Sequence, residues 1–179
     1  MVAAEPLRID AWPQTIEDFD RLVEATQDEL VHFAFYRLGN RADAEDAVQD
    51  VFVQAFRDRA KRLQITEVRP YLFRMVRNRC TDLLRSRSRR SGEPAEDPAA
   101  PGDTLSEVLA REEASRFARL LSRIPESEAE VVRLRAWSEL SFAEVAVAVG
   151  AGVPTVKSRF RYGIDKLRRL LYLEGGTPK

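Results

Sequence analysis

A chain of 179 residues, 44% of them hydrophobic, can hold one ordinary domain or two small ones. No run approaches the roughly 20 apolar residues of a membrane-spanning helix, and the start, Met1-Val2-Ala3-Ala4-Glu5-Pro6, lacks the apolar core of a signal peptide, so a soluble, cytoplasmic protein without membrane insertion is expected. The 29 basic and 29 acidic residues cancel in total but are sorted into blocks, and a partner feels each block separately because screening limits a charge to about 8–10 Å at physiological salt.

Helical periodicity runs through the chain and no stretch alternates long enough to suggest a strand. Residues 1–56 carry 4 basic and 12 acidic side chains. A first helix is predicted after Thr15, a good N-cap followed by Glu17 and Asp18; its apolar residues are Phe19, Leu22, Val23, Leu30, Phe33 and Leu38, and Gly39 stops it. A second is predicted from about Arg41 to Ala60 with Asn40 as cap and the stripe Ala44, Val48, Val51, Phe52, Ala55 and Phe56. Asp46, Gln49 and Asp50, spaced i, i+3, i+4, share the opposite face. An acidic face repels phosphate, so it suits either a protein partner with a basic surface or simply solvent.

Residues 57–90 carry 12 basic and 3 acidic side chains. A polar loop, roughly Lys61 to Arg69, leads to Pro70, well suited to the start of a third helix that runs to about Arg90. Leu72, Met75, Val76, Cys80 and Leu83 would face inward, and Arg74, Arg77, Asn78, Thr81 and Arg85 would cluster on the other side, with Arg87, Arg89 and Arg90 extending the positive run. Tyr71 and Phe73 add aromatic rings. A cationic track with aromatic platforms suits single-stranded nucleic acid, although at least one ring is expected to pack in the core.

Ser91 to Asp103 then contains three prolines, two glycines and four acidic residues, too little apolar surface to pack, and reads as a flexible acidic linker. Four helices are predicted beyond it, at about 104–123, 127–137, 142–149 and 154–172. Ser141 and Glu144 form a capping box, Phe142, Val145, Ala146 and Val149 mark a buried face, and Gly150 supplies a left-handed stop. Val147 and Ala148 leave the outside of this helix unusually apolar. Pro154 opens the next helix, with Val156, Phe160, Ile164, Leu167 and Leu171 as its buried stripe. A short helix, a glycine turn and a longer basic helix make a helix-turn-helix pattern, in which the N-terminal end of the second helix enters the major groove. Thr155, Ser158, Arg161 and Tyr162, flanked by Lys157 and Arg159, lie where they would reach bases and phosphates. The fold class is therefore all-α, two small helical domains joined by a tether.

One histidine, His32, and one cysteine, Cys80, leave no internal disulfide and no His/Cys metal cluster. His32 lies in the apolar run Leu30-Val31-His32-Phe33-Ala34 and is expected to be structural. There is no phosphate-binding loop, dinucleotide fingerprint or nucleophile elbow. No catalytic residue, metal or cofactor is expected, and the chain is not expected to be an enzyme.

Three stretches in this order, DAEDAVQDVFVQAF (43–56), YLFRMVRNRCTDLLR (71–85), and SFAEVAVAVG with TVKSRF (141–150 and 155–160), resemble the extracytoplasmic-function group of sigma-70-type sigma factors of bacterial RNA polymerase. The resemblance runs from about Phe19 to Leu171. It implies that residues 1–90 bind core polymerase and read the −10 promoter element, that 91–103 thread through the polymerase, and that 104–179 read the −35 element as duplex. Asp46, Gln49 and Asp50 would dock on the clamp helices of the largest polymerase subunit. Lys61, Arg62, Tyr71, Arg74, Arg77, Asn78 and Arg85 would melt the −10 element and capture a flipped base, whose extrusion costs a few kcal/mol. Thr155, Lys157, Ser158, Arg159, Arg161 and Tyr162 would read the −35 element. The resemblance also implies an anti-sigma partner. The chain departs from the family pattern at Tyr71, where Trp is usual, and at Tyr162 and Gly163, where Arg and Ala are common. Two alternatives stay open at this point: a free-standing helix-turn-helix repressor, and an RNA-binding or adaptor protein using the arginine helix. Neither needs the acidic face of the second helix.

Overall fold

The computed structural model describes residues 11–91 and 105–173, and among them every regular element is helical. The helices are α1 (Ile16–Leu38), α2 (Arg41–Arg57), α3 (Val68–Ser91), α4 (Leu105–Leu121), α5 (Glu126–Trp137), α6 (Phe142–Val149) and α7 (Val153–Leu173), with a single 3-10 turn at Arg59–Lys61 between α2 and α3. The predicted linker, apart from Ser91 at the end of α3, lies outside the described residues. No described helix is long and apolar enough to cross a membrane.

The helix ends follow from local chemistry. Thr15 Oγ1 accepts from the Asp18 backbone N–H at 3.1 Å, and Asn40 Oδ1 accepts from that of Asp43 at 3.0 Å. Each side chain satisfies one of the N–H groups that a helix start leaves without an intrahelical partner. Gly39, at φ 75°, turns the chain between α1 and α2 in a left-handed conformation that a side chain would strain. Pro70 sits three residues into α3 rather than at its first position. The first turn tolerates it there because those N–H groups have no intrahelical acceptor. In α6 both halves of the capping box form: Glu144 N–H donates to Ser141 Oγ, and Ser141 N–H donates to the Glu144 carboxylate at 2.7 Å.

The predicted stripes of α1, α2 and α3 meet in one core. Leu22, Leu30, Phe33, Val48, Val51, Leu72, Phe73 and Val76 are all buried there, each side chain contributing about 1.5–3 kcal/mol of apolar burial. Phe73 packs edge-on against Phe33, ring centroids 5.3 Å apart, and is unavailable as a base platform. Helical geometry places it one position beyond Leu72, still within the inward arc.

A second cluster joins α4, α5 and α7 through Leu121, Ile124, Ala129, Val132 and Leu167. The two halves also pack on each other. α1 lies against α4 and α5, and α3 against α6, so the larger core continues into Val131, Leu134, Leu140, Val145 and Val156. Tyr36 of α1 stacks on Trp137 of α5 at 4.8 Å with nearly parallel rings. Ala148, expected on the outside of α6, is fully buried, and α6 packs on α3, whereas Val147 is exposed. The apolar outer side of α6 is thus a contact between the halves.

Candidate functional site

The acidic face of α2 forms as expected. Asp46, Gln49 and Asp50 are exposed, while Ala47, Val48 and Phe52 on the other side are buried. The face is not isolated from the arginine helix: Arg79 of α3 donates to Asp50 at 2.6 Å, and Arg87 pairs with Asp43. These pairs brace α3 along α2.

The residues assigned to the −10 element fall into two groups. Lys61, on the 3-10 turn, is almost fully exposed, with only a loose pairing to Asp58 at 3.7 Å. Arg62 and Tyr71 form a closed cluster with Trp12. The Arg62 side chain is only 12% exposed; it donates to the Tyr71 hydroxyl and to Asp58 at 3.1 Å, and its guanidinium lies 5.1 Å from the Tyr71 ring centroid and 5.7 Å from that of Trp12. Trp12 is fully buried and meets the Tyr71 ring edge-on at 5.8 Å. Sequence reasoning missed Trp12; the bare periodicity argument starts at α1 and has no means of seeing a ring that folds back from an irregular segment.

The second group lies on the other flank of α3. Arg74, Asn78 and Arg85 are exposed and Arg77 is half-buried. Arg77, Asn78 and Arg85 line a crevice of about 590 Å³ whose far wall includes Glu130 of α5 and Arg159 of α7. Burial lowers the pKa of the Arg77 guanidinium from its ordinary value, with Glu130 opposing and Arg37 and Arg74 reinforcing the shift. An arginine stays charged through such a change. Glu130 receives hydrogen bonds from Arg37 at 2.7 Å and Arg133 at 3.3 Å, and Arg77 Nε stands 3.8 Å away. Arg77 also donates to the Ala148 carbonyl at 3.1 Å.

A further bridge joins the halves at the start of α3. Arg69 donates to Glu29 of α1 at 2.9 Å and lies 3.5 Å from Glu144, the capping-box residue of α6. Arg37, Glu130, Arg69 and Glu29 carry no motif and escaped the sequence reading, since charges on separate helices show no spacing in the chain.

The N-terminal end of α7 stands free. Thr155, Lys157, Ser158, Arg161 and Tyr162 are exposed, on a helix anchored by buried Val156 and Leu167. The Arg161 guanidinium covers the Tyr162 ring at 4.9 Å and donates to its hydroxyl at 3.2 Å. Arg159 differs from its neighbours, turning half-buried toward the crevice. Gly150, at φ 69°, makes the turn into this helix, and α6 and α7 cross as a helix-turn-helix. Such an arrangement can enter a major groove with four to five polar side chains at base edges and phosphates.

The family models agree with this geometry. Sigma-70 region 2 matches residues 22–90, and Sigma-70, region 4 matches residues 120–169. The ECF RNA polymerase sigma factor SigM of Mycobacterium tuberculosis is 31% identical over 160 residues, covering 89% of this chain and 80% of that protein. SigE of Mycolicibacterium smegmatis, also an ECF RNA polymerase sigma factor, is 33% identical over 162 residues, covering 86% of this chain and 61% of its own length. The structure of CnrH in complex with the cytosolic domain of CnrY is similar with a TM-score of 0.67 at 27% identity, covering 89% of this chain and 90% of CnrH. The sigma factor RpoE from Bartonella quintana, in complex with the anti-sigma factor NepR, shares the fold with a TM-score of 0.63 at 24% identity, over 88% of this chain and 98% of that one.

Region 2 on the first three helices followed by region 4 on the helix-turn-helix defines a sigma factor of the sigma-70 type. The chain belongs to the extracytoplasmic-function RNA polymerase sigma factors, and its function is promoter-directed transcription initiation with RNA polymerase. The repressor alternative is not favoured, since it leaves region 2 without a task.

Proposed function

We propose that the chain works as two readers on one tether, residues 1–90 and 104–179 joined by 91–103, and that its role is recruitment and promoter opening without chemistry of its own. Asp46, Gln49 and Asp50 dock on the basic surface of the polymerase clamp helices. Lys61, Arg62 and Tyr71, with Arg74, Arg77, Asn78 and Arg85, hold the melted −10 strand, the arginines offsetting phosphate charge and Tyr71 offering its ring to an extruded base once Arg62 and Trp12, which now cover it, give way. Thr155, Lys157, Ser158, Arg159, Arg161 and Tyr162 read the −35 duplex. The protein acts in the cytoplasm, where polymerase and DNA are.

The observation that carries this reading is the sorting of charge by helix: an exposed carboxylate face on α2 and exposed guanidinium groups on α3 and α7. This sorting supports contact of a polyanion and of a basic protein surface with different helices. By analogy with the complexes of CnrH with CnrY and of RpoE with NepR, an anti-sigma partner is proposed for this chain too.

The test is transcription by purified core polymerase on fragmented genomic DNA, with and without the protein, mapping the 5′ ends. New starts sharing spaced −10 and −35 elements are expected. An active core enzyme that gains no new starts and does not co-migrate with the protein overturns the reading.

A further inference from the structure

The loop between α2 and α3 carries a turn that presents one apolar side chain to solvent. After the 3-10 turn at Arg59–Lys61, the Ile65 backbone N–H donates to the Arg62 carbonyl at 2.9 Å, closing a β-turn with Leu63 and Gln64 at its two central positions. The Lys61 and Arg62 N–H groups are held in the same way, by the carbonyls of Asp58 at 2.9 Å and Arg59 at 3.1 Å. Ile65 packs against the core, and the Arg62 side chain turns inward, donating to Asp58 and to the Tyr71 hydroxyl. Leu63, between these two anchors, stays 53% exposed.

A single exposed leucine on a surface needs no explanation; the place of this one does. Among the described residues it is the only exposed large apolar side chain outside a helix. Turn positions favour glycine, proline, asparagine, aspartate and serine, each for a reason that leucine lacks. On one side of it stands Lys61, its side chain 84% exposed. On the other, Arg62 leads to the ring of Tyr71. A cation for phosphate, an apolar tip and an aromatic ring thus lie along one short segment, on a backbone fixed by three turn bonds.

Proteins that kink or open a duplex insert side chains such as leucine, isoleucine, methionine or phenylalanine between base steps and weaken the stacking there. The apolar surface that the side chain buries offsets part of the stacking lost. Alanine is too short to fill the gap between two parted bases, and a glutamine would shed its water without gaining a partner.

We propose that Leu63 is the wedge that parts a base step of the −10 element, a positioning residue that acts before the extruded base reaches Tyr71. The inference rests on the assignment of this loop and α3 to the −10 strand. Lys61 holds the phosphate beside the parted step. The wedge enters while Arg62 still bonds Tyr71, so opening and capture are separate steps.

The test uses holoenzyme on a promoter fragment taken from the mapped 5′ ends, with 2-aminopurine in the −10 element, whose fluorescence rises when the base unstacks. Leu63→Ala and Leu63→Gln are expected to open the duplex about 10- to 100-fold more slowly than wild type, the rate equivalent of the apolar burial of a leucine. Leu63→Met, which keeps an apolar side chain of similar volume, should open it at nearly the wild-type rate. On the same fragment with the −10 pairs mismatched in advance, all three variants should match wild type, because no step remains to be parted. A wild-type opening rate for Leu63→Ala on the paired duplex overturns the wedge. An equal loss on the mismatched fragment also overturns it, making Leu63 a contact to the captured strand. Weakened co-elution of Leu63→Ala with core polymerase overturns it too, making Leu63 a protein contact. A wild-type protein that yields no new starts overturns the functional reading, and the inference with it.

Discussion

Gly163 of α7 lies against Val132 of α5 so closely that a Cβ built on the glycine would stand 2.9 Å from Val132 Cγ2 and 3.4 Å from the Glu128 Cβ. Glycine inside a helix costs roughly 1 kcal/mol relative to alanine. Here that cost is the condition for close packing of the helix that carries the DNA-reading residues onto its support. Val132 is buried in the second core and β-branched, so it has little freedom to yield.

Gly163→Ala is therefore expected to destabilise the protein despite the better helix propensity of alanine. Overpacking a core costs about 1–3 kcal/mol, more than the propensity gain returns. Thermal unfolding followed by circular dichroism checks the sign. A melting temperature equal to or above wild type would mean that Val132 moves aside freely.

Charge reversal at the acidic face separates binding from folding. Asp46 and Asp50 are exposed, and the Asp50–Arg79 pair, with both side chains about half exposed, belongs to the class worth about 0–1 kcal/mol. The double variant Asp46→Lys/Asp50→Lys is expected to keep its fold and lose core polymerase. Co-elution with core enzyme, set beside a melting curve, measures both. Normal holoenzyme formation by the folded variant would move the docking surface elsewhere.

Lys157 and Arg161 are exposed in the first half of α7 and give a salt-dependence prediction. Removing one phosphate contact lowers the slope of log affinity against log salt by about 1. Lys157→Ala holoenzyme should bind promoter duplex with such a reduced slope and little change in −35 preference. Arg161→Ala, if it reads a base, should cost about 1–3 kcal/mol and relax preference at one −35 position. An unchanged slope and an unchanged preference in both variants would remove this end of α7 from the duplex interface.

Cys80 is wholly buried on the inner face of α3, and burial pushes its thiol up to about 12 from an ordinary value of 9.0; the Arg37 charge opposes this shift and Glu130 adds to it. The folded state then holds a proton that the unfolded state gives up, so this group's stabilising contribution is complete below about pH 9 and is lost as pH rises toward about 12. A thiol reagent at pH 8 should react with Cys80 only when denaturant is added. Rapid reaction of the native protein would show that the α1–α3 core opens locally. The same protection makes cysteines introduced at exposed positions selectively labelled.

Helix number, helix ends and most of the inward stripes were legible in the sequence because they rest on interactions within four residues; Leu171, expected in the stripe of α7, is exposed near the end of that helix, past the buried Leu167. Thr15, Asn40 and Ser141 cap their helices, and Gly39 and Gly150 terminate theirs, through contacts that reach no further than a turn. The shared face of Asp46, Gln49 and Asp50 on α2 and the exposed N-terminal end of α7 were legible for the same reason, since helical period alone puts those side chains on one face.

Pairing between helices was decided only by the tertiary structure. Nothing in the spacing of Arg37 and Glu130, 93 residues apart, marks them as partners. The sequence left Trp12 unread and placed Ala148 outside, and the fold buries both. It expected at least one of Tyr71 and Phe73 to pack in the core, and the fold selects Phe73, set against Phe33. Amphipathic period says which face of a helix avoids water, but not which other surface covers it. That choice depends on shape and charge complementarity summed over distant segments, and in this chain it is what brings Arg77 of α3 beside Glu130 of α5.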